Sequence, residues 1–159
     1  MMLTLVTDRT RAHVTRLKVL AAKGWDNMSA SEKSEWLGEI GDTTKGAYNH
    51  TDLNRVEMAV QDLASLLGLT LTTKTDWSES DIPSRSNMER YLGNIQAIRA
   101  ACQGFGGMPV APETIDNFTY VEANNIETIL KKAYEMIEAA PSAILGTMVL
   151  GKSILGREE

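Results

Sequence analysis

Cysteine is almost missing: Cys102 is the single one in 159 residues, so no intrachain disulfide can form and nothing points to an oxidising compartment. Histidine is nearly as scarce. His13 and His50 stand far apart, with no cysteine or repeated carboxylate spacing nearby, whereas a metal site needs three or four converging ligands. Neither a metal nor any other cofactor is therefore expected. There is no basic excess either: 16 Lys and Arg face 21 Asp and Glu, a net charge of −5. Wrapping nucleic acid calls for the opposite balance. The longest apolar stretch, residues 139–151, is interrupted by Pro141 and falls well short of the roughly 20 residues that span a bilayer. Met1 to Asp8 carries no basic leader and too short an apolar run for a signal peptide. Folding in the cytoplasm, without nucleic acid or membrane as a partner, is the expectation.

What is present is the balance of a globular chain, 43 % hydrophobic and 23 % charged, and the length suits one ordinary domain. Four segments carry helical periodicity, with a short helix between the first two. The first is expected from Asp8 to Lys23, capped by Thr7, with Val14, Leu17, Leu20 and Ala21 on one face and Gly24 as its stop. Ser29 to Glu32 has capping-box spacing ahead of Trp36, Leu37 and Ile40. The clearest segment is capped by Thr51 and repeats Leu53, Val56, Val60, Leu63 and Leu67 at steps of three and four. Asp52, Asn54, Arg55, Glu57, Gln61 and Asp62 read as its polar face, and Gly68 stops it.

Leu69 to Thr75 is rich in threonine and alternates enough to be extended, with Asp76-Trp77-Ser78 turning it. Ser86 to Glu89 is a second capping box, opening a helix with Met88, Tyr91, Leu92, Ile95, Ile98 and Cys102 on one side. Thr119 to Glu122 is a third. It leads into Ile126, Ile129, Leu130, Ala133, Met136 and Ile137, stopped by Pro141. Each helix has one apolar face, and burying these faces against one another gives a bundle. The fold expected is all-α, a small bundle of four to five helices over residues 1–141. Residues 142–159 form a separate apolar, glycine-punctuated arm, extended or a loose β-hairpin. Its Ile144, Leu145, Met148, Val149, Leu150, Ile154 and Leu155 are candidate assembly residues.

Gly146 to Ser153 matches the phosphate-loop pattern G-x-x-x-x-G-K-[ST] residue for residue. That chemistry needs a preceding strand and a following helix whose N-terminus faces the phosphates. Only six residues follow Ser153 and no parallel sheet precedes it, so no nucleotide or other small molecule is expected. Cys102 ends an apolar stripe without a histidine in its helix and reads as a buried thiol. His13, on a basic helix surface with Arg9, Arg11, Arg16 and Lys18, reads as solvated, as does His50. Pairs such as Asp76 with Glu79 or Glu122 with Glu127 read as caps and helix-surface charge. No catalytic residue is assigned. Three clusters hold more hydrogen-bonding groups than a surface needs: Tyr48, Asp52, Asn54, Arg55 and Glu57 at one helix start, and Trp77, then Arg90 and Tyr91, around the next. Buried polar groups require partners, so these residues are expected to cap helices and lock loops into the bundle.

The order of Gly24-Trp25, Glu35-Trp36-Leu37, Lys45-Gly46-Ala47-Tyr48-Asn49, Thr51-Asp52-Leu53-Asn54-Arg55-Val56-Glu57, Lys74-Thr75-Asp76-Trp77, Ile82-Pro83, Met88-Glu89-Arg90-Tyr91-Leu92 and Ala123-Asn124-Asn125-Ile126-Glu127 resembles a module in tail proteins of prophages from Gram-positive gut bacteria. The likeness spans roughly residues 5 to 140. It departs at Gly41 to Thr44, a small insertion, and at His50, where an aromatic residue is usual. The resemblance implies a virion component of the tail tip, baseplate or fibre-attachment region, with other tail proteins and copies of itself as partners, and no catalysis. On that reading the chain is a structural subunit, made in the bacterial cytoplasm and carried in the particle. The alternative is a non-catalytic adaptor or regulatory module that holds a protein partner in a helix groove.

Overall fold

The computed structural model describes residues 4–139. Five α-helices follow in order: α1 Arg11–Lys23, α2 Ala30–Trp36, α3 His50–Leu67, α4 Arg85–Ala101 and α5 Tyr120–Ala139. Short 3-10 turns at Trp25–Asn27 and Thr43–Gly46 link the first three. No strand occurs among the described residues, so the expected all-α bundle is what forms. The arm residues Ile144, Leu145, Met148, Val149, Leu150, Ile154 and Leu155, the Gly146–Ser153 motif and the Pro141 stop all lie outside the described residues.

The core lies among α3, α4 and α5, each of which packs on the other two. Leu53, Val56, Val60 and Leu63 of α3 meet Tyr91, Leu92, Ile95 and Ile98 of α4 and Ile126, Ile129, Leu130 and Ala133 of α5. These are the apolar faces read from periodicity, and a fully buried Leu or Ile contributes on the order of 1.5–3 kcal/mol. The connections set the topology. After Gly68, whose left-handed φ of 69° closes α3, the chain doubles back along the helix: Lys74 N–H donates to Glu57 at 3.2 Å and Trp77 N–H to Asn54 at 2.7 Å. This is the extended Leu69–Thr75 segment, without a strand partner. A second return runs back along α4, its Pro109 and Pro112 carbonyls accepting from Arg99 and Gln96. Because each return undoes the advance of the helix before it, α3, α4 and α5 start at the same end and run parallel. Asp52 and Asp62 of α3 accordingly face Arg9-linked Glu127 and Tyr134 of α5 in ascending order.

α1 and α2 form a thin layer at that shared end. Antiparallel pairing is fixed by Arg16 on Glu35, at 2.9 and 2.6 Å, and by Lys23 on Glu32 at 2.6 Å. Leu20 and Met28 are buried in this layer but take no part in the main core. Gly46 lies so close to α1 that an added Cβ would fall 2.4 Å from the His13 carbonyl oxygen. Of the apolar face expected on the first helix only Leu20 is buried; Ala21 is exposed, because the layer covers α1 on one narrow side. Trp36, Leu37 and Ile40 also remain exposed.

Three helix starts differ from expectation. Thr10, not Thr7, caps α1; Asn49, not Thr51, caps α3; Ser84, not Ser86, caps α4. Each true cap has its own partner three residues on, His13, Asp52 and Asn87. Runs of Ser, Thr and Asn offer several equivalent caps, and long-range contacts choose between them. Ser29 with Glu32, and Thr119 with Glu122, cap as expected.

Candidate functional site

The densest polar chemistry lies where the chain before α1 crosses the starts of α3 and α5. Arg9 is not on a helix surface but in an extended stretch ahead of the Thr10 cap, 4 % exposed. Its Nη1 donates to the Val6 carbonyl at 2.6 Å; its Nη2 donates to Asp52 at 2.8 Å and Glu127 at 2.7 Å. Asn124 fastens the same residue by its backbone, accepting from Arg9 N–H at 3.0 Å and donating to its carbonyl at 2.8 Å. Arg55 completes the group. Its Nε and Nη2 reach the two Glu127 oxygens at 2.9 and 2.7 Å, and Nη2 also donates to Asp52. Asp52 in turn accepts the Asn49 N–H at 3.0 Å, so one carboxylate both caps α3 and neutralises two guanidinium groups.

Glu127 is wholly buried and takes four N–H donors, including Val6 N–H at 2.6 Å. Two cations and two anions balance, as burial of charge requires. Desolvation works to lower the Arg55 guanidinium, but its hydrogen bonds to the Glu127 and Asp52 carboxylates outweigh this and hold it above its usual range. Tyr48 lies against this network, with its ring centroid 5.4 Å from Arg9 Cζ and edge-on to Phe118 at 5.1 Å. Its hydroxyl pairs with that of Tyr91. Desolvation pushes both phenols up, so both stay protonated near neutral pH.

A second pair locks the return after α3. Arg90 grips Glu57 through two donors, at 2.9 and 2.5 Å, and donates to the Thr72 carbonyl at 2.8 Å. Asn94 reaches the same carbonyl at 2.8 Å. Asn54 brackets Trp77, donating to its carbonyl at 2.8 Å and accepting its N–H. The indole itself is buried, with Lys74 Nζ 4.8 Å from its ring centroid. Tyr48, Asp52, Asn54, Arg55, Glu57, Trp77, Arg90 and Tyr91 therefore converge on the N-terminal half of α3.

Three readings of the sequence need correction here. Asp52 and Glu57 are buried rather than on a solvated polar face, because return segments and guanidinium groups cover them. Glu127, read as helix-surface charge, is the network's centre. His13 is the partner of Thr10 in the α1 cap and lies 3.3 Å from Asp42. Sequence reasoning also missed Arg9 and Asn124. Asn124 and Glu127 were visible only as part of the Ala123–Glu127 motif, and nothing local marked Arg9.

Chemically, this arrangement consumes its own reactive groups. Both carboxylates are held by two arginines each, and the tyrosines are protonated. Cys102, buried elsewhere in the core, has its thiol pushed up by desolvation. No group of three or more His, Cys, Asp or Glu side chains is placed to hold a metal among the described residues. No helix among them is long and apolar enough to cross a membrane. A surface depression of about 470 Å³ is an open trough between α4 and residues 110–113, away from the ionic network. No protein-family model, curated protein or solved structure matches the chain.

Proposed function

We propose that the chain is a structural subunit of a phage-like tail or baseplate, acting through contacts with copies of itself and with other tail proteins. It is made in the bacterial cytoplasm and resides in the particle when assembled. One observation carries this reading: the polar residues of the resemblance that gather at the starts of α3, α4 and α5 are held by hydrogen bonds inside the bundle. Thr51 to Glu57, Trp77, Arg90, Tyr91 and Glu127 set a rigid shape, and their hydrogen-bonding capacity is directed inward rather than into a cleft. A module whose distinctive residues define its form suits an assembly that repeats that form. The ten large apolar side chains left exposed among the described residues, Trp25 and Leu37 among them, supply material for such contacts.

The test is a quantitative mass-spectrometric census of particles purified after prophage induction. The chain is expected in fixed stoichiometry with the other tail proteins, and immunogold labelling is expected at the tail tip or baseplate. If the chain is lacking from intact particles and instead co-purifies with a host protein, the adaptor reading replaces this one.

A further inference from the structure

The chain matches its buried and half-buried arginines with carboxylates: Arg9 with Asp52 and Glu127, Arg16 with Glu35, Arg55 with Glu127, and Arg90 with Glu57. Arg99 departs from this pattern. It is half-buried in the last turn of α4 and meets no carboxylate among the described residues. Its Nε donates instead to the Pro109 carbonyl at 2.7 Å, which leaves both Nη groups without a protein acceptor among those residues. Lys132 of α5 is likewise half-buried and meets no carboxylate there. Its Nζ stands 3.4 Å from the point that a Cβ on Gly107 would occupy. Two cations without counter-charge therefore approach one loop, residues 104–107, from two helices.

The loop adds donors of its own. Gly104 and Gly107 have positive φ, 93° and 82°, with the residues between them at negative φ. Alternation of this kind turns backbone amides toward a shared concavity that suits an anion. The N–H groups of Gly104, Gly106 and Gly107 donate to no acceptor among the described residues. A Cβ added at Gly104 or Gly106 would meet nothing within 4 Å, so the space beside them is open. A depression of about 180 Å³ lies there, with Arg99, Gln103, Gly104 and Gly107 in its wall and no acidic side chain.

We infer that this depression binds a phosphate group, held by Arg99, Lys132 and the amides of residues 104–107. Leaving a half-buried cation without a counter-charge is costly, and an anion relieves it. Two such cations match a dianion. Phosphate also brings three strong acceptor oxygens, enough for the guanidinium edge, the ammonium and the amides together, where a carboxylate has two. The carbonyl end of α4 opposes an anion, but that effect fades beyond the last turn, and the loop amides come after it. The site is separate from the Gly146–Ser153 motif, and it is independent of the tail reading.

The test is a titration of the full-length, isotope-labelled chain with inorganic phosphate at constant ionic strength, followed by the amide resonances of Gly104, Gly106 and Gly107. Saturable shifts are expected, and Arg99→Gln should weaken binding at least about tenfold. Lys132→Gln should weaken it in the same direction; it removes no protein hydrogen bond, so it decides the matter if Arg99→Gln disturbs the loop. Lys152→Ala should leave the shifts unchanged. Phenyl phosphate separates the two sources of the group. Binding as tight as that of inorganic phosphate assigns the site to a phosphate carried on a larger molecule, and binding of inorganic phosphate alone assigns it to the free ion. Four results would overturn the inference: no saturable shift, equal saturation by acetate, shifts indifferent to Lys132→Gln, or shifts abolished by Lys152→Ala.

Discussion

Replacing Glu127 with Gln changes one oxygen for an NH2 group at the centre of the buried network, with almost no change of volume. Two arginines then face one carboxylate, Asp52, and the network carries an uncompensated positive charge. Glu127 accepts four donors: Val6 N–H, Arg9 Nη2, Arg55 Nε and Arg55 Nη2. The amide keeps one acceptor oxygen and turns its nitrogen toward donors it cannot satisfy. Breaking a buried ion pair from one side costs on the order of 3–5 kcal/mol, chiefly because a charge is left buried without a partner. Domains of this size are stable by about 5–15 kcal/mol in all, so the variant should be folded but badly weakened. With a urea m-value of about 2 kcal/mol per molar, the midpoint should fall by roughly 1.5–2.5 M. Arg85 and Glu89 supply the internal comparison, an i,i+4 pair at 3.2 Å whose side chains are both mostly exposed. Glu89→Gln should change stability by less than about 0.5 kcal/mol. If Glu127→Gln loses under about 1 kcal/mol by urea unfolding at pH 7, the network is solvated and the argument for a locked interior fails.

Arg55→Ala removes three charge-assisted donors but leaves Arg9 in place, and should lower stability by roughly 1–3 kcal/mol; unchanged thermal unfolding together with loss of a partner contact would make Arg55 a recognition residue. Gly46→Ala sets a methyl group against the α1 backbone at His13 and should cost on the order of 1–3 kcal/mol in the same unfolding assay. A neutral result would show that the Thr43–Gly46 turn is not held against α1. Acid should loosen the outer layer before the core. Arg16 and Thr43 lower the Glu35 carboxyl to about 2, and Lys23 with Ser29 lowers Glu32 to about 2. A depressed carboxylate pKa stabilises the fold above its unfolded value, and that contribution is lost as pH falls from the ordinary carboxylate range toward 2. Trp25 and Trp36 fluorescence should therefore shift in that window ahead of far-UV ellipticity, and coincident transitions would refute the separate layer.

Much of the helix content was legible from spacing alone. Leu53, Val56, Val60 and Leu63, and Met88, Tyr91, Leu92, Ile95 and Ile98, are buried as their periodicity required, since a helical face is encoded within a few turns. Helix stops at Gly24 and Gly68 follow from a backbone that glycine adopts at little cost. Starts were less legible. Thr7 and Thr10, Thr51 and Asn49, or Ser86 and Ser84 are nearly equivalent locally, and only the seating of Arg9, Asp52 and the returns distinguishes them. For the candidate site, Tyr48, Asp52, Asn54, Arg55, Glu57, Trp77, Arg90 and Tyr91 stood out by density of polar groups. What they touch did not.

The sequence by itself determined which segments are helical, which face of each is apolar, and that charges cluster abnormally around the start of α3. Those properties arise from interactions within about one or two turns of chain. Only the tertiary structure decided that the three core helices run parallel through extended returns, and that Arg9 meets partners 43 and 118 residues away. It also decided that Glu57, Asp52 and Glu127 are interior while Trp36, Leu37 and Ile40 are not. A carboxylate on a helix looks the same in sequence whether it faces water or a guanidinium brought from another element. Burial of charge is stable only when that partner arrives, and its arrival is a property of the whole fold.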